Sequence, residues 1–387
     1  NKNKLIKVSN TNNFLNKLAH GKRDKSKAKI IAITGSAGKT TLKTLVGTVL
    51  NNFGKTYYSP RSFNNHYGVP LSLSNLNSKD NYGVFEVGMS RKGEINELSK
   101  MIKPDIAIIT NIAEAHIENF KNLKGIAQAK GEIIDNIINK GILIANRDDK
   151  FFNYLKKRAQ RKKIKVISFG MSKKSDVYPI FYKKNPINNL IKIKVINEIF
   201  YVKSVKTNIL NILSTLALIK TLNLDIKKSK KILEAFTSLK GRGKIHKVKR
   251  FNAKFKLIDE SYNANPLSVK NAIAVLSNLK RNKFKKYLLL GDMLELGTKS
   301  KFYHRKLSKI INNADIDKVF VYGEKVFDTF KHAKKIKQGN ILQYKNDFDD
   351  VFSEVIKKDD VLMIKGSNST GLNQVCKKII SGDTNAI

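Results

Sequence analysis

Two patterns of hydrophobic and polar positions alternate along the chain. Short apolar runs that end in Gly, Asp, Asn or Thr alternate with longer segments whose apolar residues recur at helical spacing. This alternation is typical of parallel strands joined by crossover helices, so it predicts an α/β fold. The predicted strands form two series, at 30–34, 84–87, 105–110 and 142–146, and at 255–259, 287–290, 319–322 and 361–365.

The region between the two series has a different pattern. Apolar and polar residues alternate within 164–202, which predicts a small antiparallel extension before a helix over 209–222. Gly241 and Gly243 then interrupt the pattern, and we place a hinge there. The predicted organisation is a parallel-sheet domain with a small antiparallel part over 27–240, a Rossmann-like α/β domain over 241–387, and a preceding linker or domain remnant over 1–26.

The composition limits the class of protein. With 387 residues, of which 41% are hydrophobic, the chain can bury a large core and is long enough for two domains. Its one cysteine, Cys376, excludes an intramolecular disulfide, and no apolar run reaches the roughly 18 residues that a membrane span needs. The sequence therefore predicts a cytoplasmic protein without membrane insertion.

The formal net charge of +44 raises the question of a nucleic-acid partner. The lysines are spread along the whole chain, among many asparagines and isoleucines, and are not gathered in one arm or stripe. This distribution is expected from an AT-rich coding sequence, and we favour that explanation over a nucleic-acid-binding surface. A positive surface would still attract small anionic substrates such as nucleotides.

A glycine-containing loop follows the first predicted strand and precedes a helix. Its sequence is Thr34-Gly35-Ser36-Ala37-Gly38-Lys39-Thr40-Thr41. Glycines let backbone amides turn towards phosphate oxygens, Lys39 can reach the terminal phosphates, and a threonine hydroxyl can ligate Mg²⁺. The loop is shorter than the usual nucleoside triphosphatase motif, because Ile33 occupies the place of the first glycine. We prefer a phosphate-binding loop, and hence a P-loop ATPase-like first domain, over a chance glycine turn.

Polar side chains lie at the ends of the next two predicted strands. Glu86 lies within an apolar strand, where a carboxylate is costly without a cationic partner. Asn111 and His116 follow the strand at 105–110. Ligands of open parallel sheets bind at the carboxyl ends of the strands. A histidine by itself is more often structural, but beside a phosphate loop and a carboxylate we assign His116 to the site.

Lys130 interrupts an apolar helical stripe. Six apolar residues at helical spacing predict one helix over 123–137, with Lys130 in the middle of its buried face. Burial lowers the pKa of an amine, and a neutral amine can attack carbon dioxide to form a carbamate that would bind Mg²⁺. The alternative is a lysine whose stem crosses the stripe so that the ammonium reaches water. The spacing alone leaves both possibilities open.

An ordered series of motifs resembles the Mur ligase family. In the first domain the motifs are Gly35-Ser36-Ala37-Gly38-Lys39-Thr40, Asn64-Asn65-His66-Tyr67-Gly68-Val69-Pro70, Glu86-Val87-Gly88, Thr110-Asn111-Ile112-Ala113-Glu114-Ala115-His116 and Ala129-Lys130-Gly131-Glu132-Ile133. In the second domain, three motifs resemble the branch that adds D-alanyl-D-alanine: Asp259-Glu260-Ser261-Tyr262-Asn263-Ala264-Asn265-Pro266, Gly291-Asp292-Met293-Leu294-Glu295-Leu296-Gly297 and Lys365-Gly366-Ser367.

The resemblance implies an ATP-dependent amide ligase of peptidoglycan precursor synthesis. ATP would phosphorylate the terminal carboxylate of a UDP-N-acetylmuramoyl tripeptide, and the amine of D-alanyl-D-alanine would attack the acyl phosphate. It implies that Lys39 holds the triphosphate, and that Thr40 or Thr41 organises Mg²⁺ together with Glu86 and His116.

Further roles follow from the same resemblance. Lys130 matches the lysine that is carbamylated in several members of the family. Nucleotide contacts are implied for Arg242, Asp259, Asn263 and Asn111, although a loop arginine and a turn asparagine are common without such a role. Acceptor contacts are implied for Asn64, Asn65, Lys365 and Ser367, whose alternative is ordinary loop and turn chemistry.

Two features depart from the branch. Fewer than 35 residues precede the phosphate loop, whereas the branch begins with a uridine-nucleotide domain, so we expect a truncated chain or altered acceptor handling. Thr207 stands where the branch has histidine, so Asn208 and Asn211 are left out of the predicted site. The alternatives are a folylpolyglutamate or cyanophycin synthetase-like ligase and, less favoured, a basic nucleic-acid-binding P-loop protein. We expect small-molecule substrates, no nucleic acid and a monomer.

Overall fold

The computed structural model describes residues 6–182, 190–203, 207–280, 283–344 and 347–382. The chain divides into two compact units. The first is assigned residues 1–112 and 122–236, and the second residues 113–121 and 237–387. The short segment 113–121 is therefore grouped by its contacts with residues far from it in sequence.

A mostly parallel sheet forms the centre of the first unit. Its strands are β1 (Lys29–Thr34), β2 (Thr56–Tyr58), β3 (Tyr82–Glu86), β4 (Ile106–Ile109), β5 (Ile142–Asn146), β6 (Lys165–Phe169), β7 (Val177–Tyr182), β8 (Leu190–Val195) and β9 (Glu198–Lys203). The order across the sheet is β2-β3-β1-β4-β5-β6-β7-β8-β9. Neighbours from β2 to β7 are parallel, and β7, β8 and β9 are antiparallel. The predicted parallel sheet with an antiparallel extension is confirmed.

Helices pack on this sheet and against one another. They are α1 (Thr11–Lys25), α2 (Lys39–Leu50), α3 (Gly68–Ser74), α4 (Glu94–Ile102), α5 (Leu123–Gly131), α6 (Phe152–Arg161), α7 (Ile209–Thr221) and α8 (Lys230–Ala235). The apolar stripe of α2 is fully buried, as its helical spacing requires. Gly47 lets α2 approach β2 closely, because a Cβ atom there would lie 2.4 Å from a ring carbon of Tyr58.

The second unit has a sheet of its own. Its strands are β10 (Lys244–Arg250), β11 (Ala253–Glu260), β12 (Lys286–Gly291), β13 (Lys318–Tyr322), β14 (Gln338–Leu342) and β15 (Val361–Lys365). The order is β10-β11-β15-β12-β13-β14, with β10 antiparallel to β11 and the other neighbours parallel. The helices are α9 (Pro266–Ser277), α10 (Ser300–Asn313), α11 (Phe327–Lys331), α12 (Asp347–Val355) and α13 (Leu372–Ser381). Aromatic rings fill its core, including the edge-to-face pair of Phe320 and Phe352 with centroids 5.2 Å apart.

The predicted α/β class is confirmed, and all eight predicted strands are present to within two residues at each end. Two expectations were wrong. The helix predicted over 123–137 is α-helical only to Gly131 and continues as a 3₁₀ helix over Glu132–Asn136. β6 lies in the region predicted to be antiparallel, but it pairs in parallel with β5. In the described ranges, no helix combines the length and the apolar character that crossing a membrane demands.

Candidate active site

The phosphate loop connects β1 to α2 in the first unit. Gly35 and Gly38 have φ angles of 149° and 84°, which favour glycine. A Cβ atom on Gly35 would lie 1.9 Å from Oγ1 of Thr110, so a side chain there would collide with the residue that follows β4. Lys39 begins α2, and its Nζ donates to the carbonyl oxygen of Gly35 at 2.8 Å. The loop thus turns tightly at a helix N-terminus, which is a favourable place for phosphate.

Asn111 supports this loop from the neighbouring strand end. Its Oδ1 accepts a hydrogen bond from the backbone N–H of Ala37 at 3.0 Å, and its Nδ2 donates to the Ala37 carbonyl at 3.1 Å. Its own carbonyl accepts from the N–H of Ser36 at 3.0 Å. Thr110 Oγ1 donates to the Ala37 carbonyl at 2.8 Å. The side chain predicted to contact nucleotide therefore also fixes the shape of the phosphate loop.

Asp149 was not predicted, and it holds the segment that carries Asn111. Its Oδ2 accepts the backbone N–H of Ile112 at 2.6 Å, and its Oδ1 accepts that of Phe151 at 2.9 Å. Burial raises the pKa of the Asp149 carboxyl. The only sequence signal was its position, because Asp149 closely follows a predicted buried strand whose carboxyl end lies on the ligand-binding edge of the sheet.

Glu86 is the last residue of β3, and the two oxygens of its buried carboxylate have different neighbours. Its Oε1 accepts from Nδ2 of Asn64 at 2.7 Å, which places a predicted acceptor residue against a predicted metal ligand. Its Oε2 lies 3.9 Å from Nζ of Lys43, and both side chains are 1% exposed. Lys43 was missed, although its spacing within the apolar face of α2 is the same signal that singled out Lys130.

The carboxylate of Glu86 is a candidate ligand for a cation. Among the described residues, Glu86 Oε2 is buried and accepts no hydrogen bond, so this carboxylate oxygen keeps capacity for a further partner. Thr40 Oγ1 lies 3.0 Å from Oγ of Ser62, and Thr41 follows on the first turn of α2. Carboxylate and hydroxyl oxygens suit Mg²⁺. The described part of the chain holds no group of three His, Cys, Asp or Glu side chains placed for a metal, so nucleotide or water oxygens would have to contribute to a metal site here.

Lys130 lies near the C-terminus of α5 and is 1% exposed. Its predicted burial is confirmed, and the alternative of an ammonium that reaches water is wrong. Burial and, to a smaller extent, the positive charge of Lys39 hold the pKa of the Lys130 amine well below its ordinary range. Within the described ranges no acidic side chain pairs with it. The site therefore contains a buried amine that favours its neutral form.

Asn65 has a local structural role. Its Oδ1 accepts hydrogen bonds from the backbone N–H groups of Tyr67 at 3.2 Å and Gly68 at 2.9 Å, which supports the start of α3.

Two further asparagines lie at the start of α7. Asn208 caps that helix by accepting the N–H of Leu210 at 2.9 Å. Asn211 Oδ1 is 3.8 Å from the position that a Cβ atom on Gly38 would occupy, so this residue, which was left out of the prediction, borders the phosphate loop.

His116 lies in the segment that belongs to the second unit. Its Nδ1 is 2.8 Å from Oε2 of Glu295, and this contact lowers the pKa of the Glu295 carboxyl. Both residues have left-handed backbones, with φ of 56° and 61°. The backbone N–H of Glu118 also donates to the Glu295 carbonyl at 3.3 Å. The glutamate of the Gly291 to Gly297 motif is therefore a partner of the predicted metal-binding histidine.

The predicted ribose carboxylate, Asp259, already holds its own neighbourhood together. Its Oδ2 accepts the N–H of Gly241 at 2.7 Å, and its Oδ1 accepts the hydroxyl of Ser261 at 2.6 Å. Arg242 stacks its guanidinium on the ring of Tyr262, with 4.0 Å to the ring centroid. The double-glycine segment is thus attached to the end of β11.

The remaining predicted residues of the second unit form a compact group. Lys365 is 1% exposed, and its Nζ donates to Oε2 of Glu260 at 3.2 Å and to the carbonyl of Asn263 at 2.9 Å. Asn263 Oδ1 accepts the backbone N–H of the following residue at 2.8 Å. Ser367 Oγ accepts the N–H of Leu294 at 2.9 Å. These side chains bring the ends of β11 and β15 and the loop after β12 together.

A buried histidine that was not predicted fixes the same loop. His304 is fully buried, and its Nε2 accepts the backbone N–H of Met293 at 3.0 Å. Its Nδ1 lies 2.9 Å from the Ser300 carbonyl, so the proton of the neutral ring belongs on Nδ1. Burial lowers the pKa of His304. Only the neutral ring can accept a hydrogen bond from the Met293 amide at Nε2.

Comparison with known families covers both units. Residues 33–219 match the Mur ligase middle domain family, and residues 230–368 match the family described as Mur ligase, glutamate ligase domain. A Rickettsia prowazekii protein named UDP-N-acetylmuramoyl-tripeptide--D-alanyl-D-alanine ligase is 34% identical over 385 residues, which are 97% of this chain and 83% of the relative. A Bacillus subtilis protein of the same name is 30% identical over 381 residues, which are 97% of this chain and 81% of the relative.

Solved structures agree with these relatives. MurF from Acinetobacter baumannii superposes with a TM-score of 0.85 at 26% identity, over 97% of this chain and 81% of that one. The MurF ligase from Thermotoga maritima, solved in complex with ADP, gives a TM-score of 0.84 at 26% identity, over 97% and 85%. FolC from E. coli is 15% identical with a TM-score of 0.73, which shows likeness of fold alone.

Proposed function

The chain belongs to the Mur ligase family, and we propose that it joins D-alanyl-D-alanine to a UDP-N-acetylmuramoyl tripeptide with conversion of ATP to ADP and phosphate. The observation that carries this proposal is the alignment of this chain with relatives of that name. The alignment covers up to 97% of the chain and so includes both units. The enzyme would act in peptidoglycan precursor synthesis. The folylpolyglutamate-like and nucleic-acid-binding alternatives are not favoured.

The reaction proceeds in two transfers. The γ-phosphoryl group of ATP moves to the terminal carboxylate of the tripeptide, which forms an acyl phosphate and releases ADP. The amine of D-alanyl-D-alanine then attacks the acyl carbon, loses its proton, and expels inorganic phosphate as the amide forms. The first transfer brings two anions together, so basic side chains that neutralise charge should lower its barrier.

We assign the triphosphate to the loop of Gly35, Ser36, Ala37 and Gly38, with Lys39 on the terminal phosphates. Thr40 or Thr41, Glu86 and His116 would hold Mg²⁺, which when bound polarises the phosphoryl oxygens. In the described part of the chain, Oε2 of Glu86 accepts no hydrogen bond, which supports this role. Asn111 would serve the nucleotide chiefly through the loop that it supports.

We assign Lys130 a role through carbamylation. Its buried amine is repelled by Lys39 when protonated, and no described carboxylate compensates for that charge. Attack of the neutral amine on carbon dioxide forms a carbamate and releases a proton. The carbamate would place an anion beside Lys39, where a protonated amine would be repelled. Such an anion is a suitable ligand for Mg²⁺.

Residues of the second unit are also assigned to nucleotide and acceptor binding. We propose that Arg242, Asp259 and Asn263 contact ATP, and that Lys365 and Ser367 join Asn64 and Asn65 in acceptor binding. The proposed domains are 27–240 and 241–387, with a hinge near Gly241 and a linker over 1–26, of which residues 1–5 lie outside the described ranges. Residues 383–387 of the second domain also lie outside them. We propose a monomeric enzyme of the cytoplasm, where ATP is available.

Product analysis tests the function. The full-length protein should release ADP only when ATP, Mg²⁺, the UDP-muramoyl tripeptide and D-alanyl-D-alanine are all present, and mass spectrometry should identify the pentapeptide product. ADP release without dependence on both peptides would contradict the proposal. Turnover with a folate and glutamate in their place would support the other ligase class, and turnover stimulated by duplex DNA would support the nucleic-acid alternative.

A further inference from the structure

Lys43 is a buried lysine on α2 to which the proposed reaction gives no role. Its side chain is 1% exposed, and it lies one helical turn after Lys39. Its Nζ donates to the carbonyl oxygen of Arg61 and lies 3.9 Å from Oε2 of Glu86. A buried ammonium is costly unless hydrogen bonds and an opposite charge replace the lost water. The carbonyl and the carboxylate supply that compensation here.

The carbonyl that Lys43 binds belongs to a strained turn. Arg61 has a φ of 44°, in the left-handed region that residues other than glycine seldom adopt. The turn leads directly into Asn64, whose Nδ2 donates to Oε1 of Glu86 at 2.7 Å. Lys43 thus contacts both the turn that precedes Asn64 and the carboxylate that Asn64 binds.

A second contact joins α2 to the same turn, between the hydroxyl oxygens of Thr40 and Ser62 at 3.0 Å. Thr40 is also a proposed ligand of Mg²⁺. If its hydroxyl turns to the cation, it leaves Ser62, and Lys43 then remains as a link between the helix and the turn. The contact of Thr40 with Ser62 can therefore be lost during the reaction, whereas the contact of Lys43 with the turn can persist.

We propose that Lys43 is a positioning residue that holds the Arg61 turn and Glu86 in register with the phosphate loop, and so orients Asn64 for the acceptor. This inference rests on the proposed function in one respect, that the acceptor is the muramoyl tripeptide. The effect of Lys43 should fall mainly on acceptor binding, because the phosphate loop is separately supported by Thr110 and Asn111.

Substitution of Lys43 by Met tests this division between the two substrates. Met keeps the length and apolar stem of the side chain but cannot donate to the turn. In the full-length protein, Lys43→Met should raise KM for the UDP-muramoyl tripeptide about tenfold and KM for ATP by a clearly smaller factor, because only Glu86 connects Lys43 with the proposed Mg²⁺ site. Calorimetry without ATP should show the same rise in the Kd of the tripeptide, and fluorescent ADP should bind as it does to the wild type.

Lys286→Met is the matched control. Lys286 is fully buried in the second unit, and its Nζ donates to the carbonyls of Ser277 and Leu279 and to Asp315. Its loss should lower stability without separating the two KM values. If Lys43→Met and Lys286→Met change both KM values alike, or if Lys43→Met leaves the tripeptide KM unchanged, the inference is overturned.

An unfolding cycle tests the link to Glu86 without any substrate. Lys43→Met and Glu86→Gln should be coupled, so that the double variant unfolds at a denaturant concentration above the one expected from adding the two single effects. Additive effects would overturn the inference. A wild-type protein that neither binds the tripeptide nor forms product would refute the proposed function, and this cycle would still decide whether Lys43 holds Glu86.

Discussion

Replacement of Lys130 by Met should stabilise the first unit while it abolishes ligation. Lys130 is 1% exposed, and no described acidic side chain pairs with it. A buried polar group without a partner costs about 1 to 3 kcal/mol in mutational series. Met fills a similar volume without a polar atom, so the free energy of unfolding should rise by about that amount at high pH, where the amine is neutral in both the folded and the unfolded state, and by more at neutral pH.

The pH dependence of the difference follows from the lowered pKa of Lys130. In the unfolded chain a lysine titrates near about pH 10.4, so above that pH the amine is neutral in both states and the two proteins differ least. As the pH falls below that value, the unfolded wild type takes up a proton that the folded wild type refuses. Wild-type stability then falls relative to Lys130→Met by up to about 1.4 kcal/mol per pH unit, until the folded pKa is reached.

Urea unfolding followed by far-ultraviolet circular dichroism measures this difference. The buffers should be free of carbon dioxide, because a carbamate would change the charge of Lys130. Lys43→Met is the control within the same unit, since that lysine is equally buried but has a carbonyl and a carboxylate beside it; its loss should be destabilising by about 3 kcal/mol. The reasoning is refuted if Lys130→Met is no more stable than the wild type at neutral pH. It is also refuted if the free energies of unfolding of the wild type and of Lys130→Met change equally with pH.

Three further predictions concern the same two units. Gly35→Ala places a methyl group 1.9 Å from Oγ1 of Thr110 and should lower ATP affinity at least about tenfold in calorimetry. Asp149→Ala removes the acceptor of the Ile112 amide and should weaken ATP binding, whereas Asp148→Ala, which loses contacts to a different segment, should not. His304 has a lowered pKa, so stability should fall as the pH drops below about 6.5, where the unfolded histidine takes up a proton first. His304→Gln should flatten that fall, and an unchanged slope in urea unfolding would contradict the assignment.

The sequence could predict the strands with a strong apolar signal, and it failed where that signal is weak. β2 has three residues and none of them is buried, so its pattern does not separate it from a loop. β10 carries lysines, arginine and histidine at most positions, and only Val248 is buried. β14 contains a glycine and exposed side chains. These strands are specified by the neighbours with which they pair, and no local pattern reports those neighbours.

The candidate site shows the same limit. The rule that ligands meet the carboxyl ends of parallel strands was enough to select Glu86 and Asn111, and an interrupted apolar stripe was enough to select Lys130. Lys43 carries the same kind of stripe signal, within the buried face of α2, but was not predicted. The partnership of His116 with Glu295 could not be read from the sequence, because 178 residues separate the two in the chain.

The paired hydrogen bonds between Asn111 and Ala37 affect the thermodynamics of nucleotide capture. Fixing the backbone of one residue costs about 1 to 2 kcal/mol of conformational entropy at room temperature. A loop that became ordered only around the triphosphate would subtract that cost from its affinity, residue by residue. Here the strand ends order the loop while the chain folds. The phosphate loop therefore has its binding conformation before the nucleotide binds, and most of the interaction energy contributes to affinity.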